Sequence, residues 1–209
     1  MAEGVGGRAA LAGALFRIGA LRFGRFTLAS GKSSPYYLDL RVLPSDPEAY
    51  GLAIAAYKAV VGGIGEANFD AVAGVATAGV TLSSPLAYVL KKPMLYVRSE
   101  EKGHGLGRRV EGAVRPGWRT VVVDDLITTG GSILSAVEAL RSAGCVVKEA
   151  LVLVDRLEGG KARLATEGVR LNAFVDVKEL AGTLFDGKMI TKAAFQAVQK
   201  QMEEGLNNL

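Results

Sequence analysis

Val121-Val122-Val123-Asp124-Asp125-Leu126-Ile127-Thr128-Thr129-Gly130-Gly131-Ser132 is the stretch that decides how this chain folds. A β-branched run reads as a buried strand, covering Arg119 to Asp124 and ending in two carboxylates. A turn rich in hydroxyls and glycine follows, and a helix is predicted from Ser132 to Ala143, with Gly144 where a left-handed C-terminal cap belongs. In open parallel sheets, ligands bind beyond the carboxyl ends of the strands. Gly130 and Gly131 allow close backbone approach, while free N–H groups at a helix start make a ready anion site. The hydroxyls of Thr128, Thr129 and Ser132 add donors to it. Two carboxylates beside a phosphate would repel it, so they need another partner, either sugar hydroxyls or Mg²⁺. Together these residues describe a pocket for a phosphorylated sugar. The competing reading is a solvated acidic loop followed by a Ser-capped turn, and the register of all nine residues from Asp124 to Ser132 favours the pocket.

Outward from this segment, further apolar runs at 69–74, 93–97, 147–154 and 169–175 read as strands, with a helix over 81–90 between the first two. Continuous Val/Leu/Ile runs imply strands covered on both faces, and their alternation with helices implies a parallel sheet with right-handed crossovers. The ends differ. A helix is expected over 8–21, with Leu11, Leu15 and Ile18 at helical spacing. Short strands are expected at 25–28 and 36–40, joined by turn chemistry at Ser33-Ser34-Pro35. Asp46-Pro47 opens another helix as N-cap and first helical residue, and Phe195, Val198 and Met202 mark a last one. The expectation is one domain over 1–209, with a small lobe at about 1–45, joined by the C-terminal helix, and an α/β core at about 46–180.

Composition narrows the class. The chain has 209 residues, 49% of them hydrophobic and 22% charged, which excludes a disordered or fibrous protein. The net charge of +4 suits anionic small molecules as well as nucleic acid. One Cys and one His cannot build a disulfide framework or a soft-ligand zinc site, which points to the reducing cytoplasm. No apolar run reaches the roughly 18 residues of a membrane span.

Four segments, in order along the chain, carry a family resemblance. Asp124 to Ser132 resembles the phosphoribosyl pyrophosphate (PRPP) motif of the type I phosphoribosyltransferases, in the form closest to their orotate-specific members. The stretch from Phe26 to Tyr37, with Ser30-Gly31 and Ser34-Pro35, is similar to the family's N-terminal segment. The stretch Tyr96-Val97-Arg98-Ser99-Glu100-Glu101-Lys102-Gly103-His104-Gly105 resembles its mobile catalytic loop, and Asp155-Arg156-Leu157-Glu158-Gly159-Gly160 its base-reading segment.

The resemblance implies a type I phosphoribosyltransferase-like fold with a small N-terminal hood. It implies transfer of the phosphoribosyl group of PRPP to orotate, giving orotidine 5′-monophosphate and pyrophosphate in pyrimidine synthesis. Asp124, Asp125, Leu126, Ile127, Thr128, Thr129, Gly130, Gly131 and Ser132 would bind PRPP together with Arg98, Lys102 and His104. Lys102, His104, Asp124 and Asp125 would act in catalysis, and Thr128 and Arg156 would meet orotate. Arg156 has a second reading, an ion pair with Asp155 or Glu158. Mg²⁺ is the implied cofactor, held mainly by PRPP rather than by protein ligands. The implied partner is a second copy, with the loop shared across subunits; no nucleic acid or membrane is implied.

The loop also stands on its own chemistry. From Arg98 to Arg119 it has six Lys/Arg, three acids, five glycines and the only His, a composition suited to a lid over a polyphosphate. Some features depart from the family. Ala29, Ala78, Ser99 and Glu100 stand at or near positions where many members carry Lys, and Lys32 is expected to compensate in part. Tyr36 or Tyr37 could flank a flat base, with the other facing the core. Gly182 to Met189 has P-loop-like spacing but ends in Met where a Mg²⁺-reaching hydroxyl is required. The rivals are a transferase for another base, and a regulator sensing PRPP or a nucleotide; the second would need a basic face or an added DNA-binding element.

Overall fold

Where the sequence runs apolar and β-branched without interruption, the computed structural model places strands covered on both faces; it describes residues 2–27, 31, 33–99 and 109–206. These are β3 (Ala71–Val75), β4 (Met94–Val97), β6 (Arg119–Ile127), β7 (Val146–Asp155) and β8 (Arg170–Asp176), joined by a short β5 (Val110–Glu111) that the sequence reading did not anticipate. The sheet order is β5-β4-β3-β6-β7-β8. The pairs β3–β4, β3–β6 and β6–β7 are parallel, and the added β5 runs antiparallel to β4. The helices in this region are α3 (Ala78–Leu90), α4 (Gly131–Ser142) and α5 (Gly160–Thr166). The chain leaves β3 towards β4 on one side and continues from β6 to β7 on the other. The gap beyond the carboxyl ends of β3 and β6 is therefore the sheet's switch point.

Close approach of α3 to the strands is paid in glycine. A Cβ on Gly79 would lie 2.5 Å from the Val123 carbonyl oxygen and 3.0 Å from Asp124 Cα, and one on Gly74 would collide with Ser83 Oγ. Cys145 is buried in the core formed around β6, β7 and α4, and Trp118 packs against it after the turn closed by its N–H on the Arg115 carbonyl, 3.1 Å.

Two compact units divide the chain, Met1–Ala56 with Val175–Leu209, and Tyr57–Phe174. The first contains α1 (Ala2–Arg17), a two-stranded antiparallel ribbon of β1 (Leu21–Thr27) and β2 (Ser33–Leu38), and the helices α6 (Val177–Asp186) and α7 (Lys192–Leu206). In chain order α2 (Pro47–Ile64) follows β2 and precedes β3, and its Asp46 cap accepts from the Ala49 N–H at 2.9 Å. Arg8 on α1 pairs with Glu179 on α6 at 2.9 Å, and α7 meets β2, where Ser34 Oγ donates to Gln201.

Three expectations are corrected here. The first helix stops at Arg17 rather than continuing to residue 21, because Gly19 turns at φ +71 and Leu21 already pairs with Leu38. Ser33-Ser34-Pro35 lies in β2, not in a turn. Pro35 has no N–H to offer, and it falls opposite the irregularity between Phe23 and Phe26, where the ladder does not require one. Finally, β6 continues through the acid pair to Ile127. Tyr36 is the ring that faces the core, while Tyr37 lies against Phe26 and beneath Arg22. The P-loop-like stretch starts inside α6, so it forms no phosphate loop. No helix among the described residues is long and apolar enough to cross a membrane.

Candidate active site

At the switch point β6 outruns β3. Its pairing with β3 ends at Gly74–Val123, while on the other side β7 stays in register from Asp124–Val152 to Ile127–Asp155. The acid pair is therefore held rigidly along one edge and opened along the other. Residues 124–133 line a cavity of about 210 Å³ at this point, and Thr129 and Ser132 are exposed within the segment that lines it. A second cavity, of about 250 Å³, lies at the opposite, amino-terminal ends of the strands, among Phe69, Arg119, Val146 and Arg170. Its Arg119 and Arg170 are committed to Asp70 and Glu149, so the chemistry concentrates at the carboxyl ends.

The two carboxylates differ in environment. Asp124 is 8% exposed, and its carboxylate accepts from the Asp125 N–H at 3.0 Å and from the Gly79 N–H. Burial raises its pKa well above the usual carboxylate range, the charge of Asp125 raises it further, and those backbone donors oppose both. Beneath it, the buried Tyr57 hydroxyl of α2 donates to the Asp124 carbonyl at 2.6 Å. Burial first, then the charges of Asp125 and Asp124, hold that phenol protonated. Asp125 is half-buried near the end of β6, and its carboxylate accepts from the Leu126 N–H at 2.8 Å.

The far end of the cavity is built for an anion. Gly130 takes the left-handed conformation at φ 79, and α4 starts with no side chain capping it, so its first N–H groups remain available beside the hydroxyls of Thr129 and Ser132. This turn is braced from behind. Gly160 N–H donates to the Thr128 carbonyl at 3.0 Å, Arg163 reaches the Thr129 carbonyl, and a Cβ on Gly160 would strike Thr128 and Ile127. The Asp-Arg-x-Glu-Gly-Gly segment thus also packs behind the Thr128–Ser132 turn, a role that the sequence reading missed.

Arg156 is 8% exposed, and its N–H donates to the Ile127 carbonyl at 3.0 Å. Its guanidinium lies 2.9 Å from Glu158 Oε1, so the ion pair weighed as the alternative reading exists. The contact is charge against charge without an aligned hydrogen bond. Arg98 lies just past β4, with its guanidinium 3.5 Å from Glu111. Lys102, His104, Ala29 and Lys32 lie outside the described residues. No three His, Cys, Asp or Glu side chains among the described residues converge to hold a metal.

Comparison with known proteins agrees with this geometry. Residues 48–179 match the phosphoribosyl transferase domain model. The chain is 41% identical over 182 residues to the orotate phosphoribosyltransferase of Cenarchaeum symbiosum, covering 87% of this chain and 91% of that one. It superposes on the crystal structure of orotate phosphoribosyltransferase from Aeropyrum pernix with a TM-score of 0.77 at 44% identity, covering 87% and 99% of the two chains. The UMP synthase of Leishmania donovani matches with a TM-score of 0.84 at 36% identity, over 94% of this chain and 42% of that longer protein. With a glycine-braced turn, an acid pair at the switch point and these relatives, the chain belongs to the phosphoribosyl transferase domain family, among its orotate phosphoribosyltransferases.

Proposed function

We propose that this protein transfers the phosphoribosyl group of PRPP to orotate, forming orotidine 5′-monophosphate and pyrophosphate in pyrimidine nucleotide synthesis in the cytoplasm. The observation that carries this reading is the cavity lined by residues 124–133, acidic at one end and ready for an anion at the other. The first N–H groups of α4 and the hydroxyls of Thr128, Thr129 and Ser132 grip the 5′-phosphate. Asp124 and Asp125 hold the ribose hydroxyls. As the C1′–oxygen bond to pyrophosphate lengthens, positive charge grows on the ring, and these fixed carboxylates stabilise it without reorganising. The base nitrogen then bonds to C1′ and gives up its proton to the departing pyrophosphate or to solvent, while the electron pair of the broken C1′–oxygen bond leaves with the pyrophosphate.

Arg98 meets the departing group, and Lys102 and His104 add cationic support there. The residues present fit a Mg²⁺ held chiefly by the polyphosphate: the half-buried Asp125 is placed to help, and Mg²⁺ would supply charge neutralisation of the leaving group. Arg156 receives the orotate carboxylate, a role its planar fork suits, by exchanging its unaligned contact with Glu158 for an aligned one.

The test is the purified protein with PRPP, Mg²⁺ and orotate, followed by loss of orotate absorbance, with uracil, adenine and hypoxanthine in parallel. Turnover of orotate alone is expected, and Arg156→Ala should raise the KM for orotate far more than that for PRPP. Turnover of a purine without orotate would overturn the assignment.

A further inference from the structure

Resting on that reading of Arg98, we infer that Arg109 is a positioning residue that fixes Arg98 relative to the phosphate-gripping helix. Arg98 follows β4 with little strand to hold it, since β4 ends at Val97 and β5 contributes only Val110 and Glu111. Its backbone is nonetheless held on both sides by one residue. The Arg98 N–H donates to the Arg109 carbonyl at 2.9 Å, and the Arg98 carbonyl accepts from Arg109 Nε at 3.3 Å and Nη2 at 3.2 Å. The same Nη2 donates to Ser135 Oγ at 2.9 Å. Ser135 lies on α4, about one turn beyond the Gly131 start at which the anion site opens.

One guanidinium therefore ties the strand end carrying a pyrophosphate-side cation to the helix carrying the 5′-phosphate site. PRPP carries a phosphate at one end of a short sugar and a pyrophosphate at the other, so the spacing between these two protein elements must match the substrate. Displacement of a catalytic group by about 1 Å costs on the order of a hundredfold in rate. A lysine could supply the charge of Arg109 but not its fork, because an ammonium on a flexible stem cannot hold a carbonyl and a hydroxyl in fixed directions.

Three variants separate positioning from charge and from simple stability: Arg109→Lys, Arg109→Met and Ser135→Ala, each assayed for kcat, for KM with PRPP and with orotate, and for thermal unfolding. Arg109→Lys and Arg109→Met should both lose roughly ten- to a hundredfold in kcat/KM for PRPP, mostly in kcat, with the KM for orotate unchanged. Ser135→Ala, which leaves the β4–β5 pairing intact, should move in the same direction by less, with unchanged Tm. Wild-type activity in Arg109→Lys would show that only charge matters and overturn the inference, as would full activity in Ser135→Ala. If the wild-type enzyme bound no PRPP in calorimetry, the functional reading itself would fail; normal wild-type turnover with silent variants would sink only the role of Arg109.

Discussion

Asp124 shows how a single residue trades stability for chemistry. Its carboxyl is buried, next to a second acid, and both effects raise its pKa in the folded state. A carboxyl whose folded pKa exceeds its unfolded value costs nothing in acid, where both states are protonated. As the pH rises past the unfolded value, the unfolded chain ionises first, and stability falls until the folded pKa is reached. At neutral pH the penalty is present, and Asn would remove it while keeping a similar shape. Asp124→Asn should therefore raise the Tm near pH 7, leave it little changed near pH 3, and abolish most turnover. Calorimetry across that range checks the sign: a lower Tm for the variant at neutral pH would mean that the ionised form is the better-held one. Tyr57 fits the same account, because its hydroxyl donates to the Asp124 carbonyl and not to the carboxylate, so it does nothing to relieve the buried acid.

Among the elements, α3 depends most on one missing side chain. Its Gly79 lies against β6 at Val123 and Asp124, with no space for a Cβ. Gly79→Ala should destabilise by about 1–3 kcal/mol through overpacking and should also slow turnover, since the helix cannot move off without disturbing the N–H that Asp124 accepts. Gly13→Ala in α1, where a Cβ meets nothing within 4 Å, is the contrasting variant and should stabilise by roughly 0.5–1 kcal/mol. Equal Tm values for the two would refute the close-approach argument. Contrasts of this kind also explain what could be read in advance. The central strands were legible because burial on both faces writes a continuous apolar run, and α2 because Asp46-Pro47 caps locally. The extension of β6 through two carboxylates was not, since it depends on β7 continuing alongside. Nor was β5, whose two residues form a strand only by pairing with Tyr96 and Val97 of β4. The first helix was read too long because Ile18 continues the apolar spacing past the turn that Gly19 makes. Site chemistry was legible where residues adjoin in sequence, as from Asp124 to Ser132, and illegible where it arrives from afar, as with Tyr57, Gly160 and Ser135.

For the molecule as a whole, the exposed surface bears on assembly with a second copy. On the surface of the Tyr57–Phe174 unit, Tyr88 is 85% exposed and Val89 46%, both on α3, and Tyr96 on β4 is 37% exposed. Aromatic side chains left in water are the kind that subunit interfaces cover, and in a symmetric pair the same side chains would be buried on both copies. We propose a homodimer in which the segment carrying Lys102 and His104 serves the neighbouring subunit's cavity. This arrangement makes a prediction that no self-contained subunit can meet. A chain with Lys102→Ala keeps its acid pair but offers a defective loop, and a chain with Asp125→Asn offers an intact loop over a defective floor. Each alone should be nearly inactive. Mixed in equal amounts and allowed to exchange, half of the dimers would be hybrids, each containing one cavity with intact floor and intact loop, so activity should return to about a quarter of wild type. If each loop served its own cavity, every site in every hybrid would carry one lesion, and mixing would restore nothing. Sedimentation of Tyr88→Glu adds the physical check, since a charge placed on that face should shift the dimer towards monomer and remove the regained activity with it.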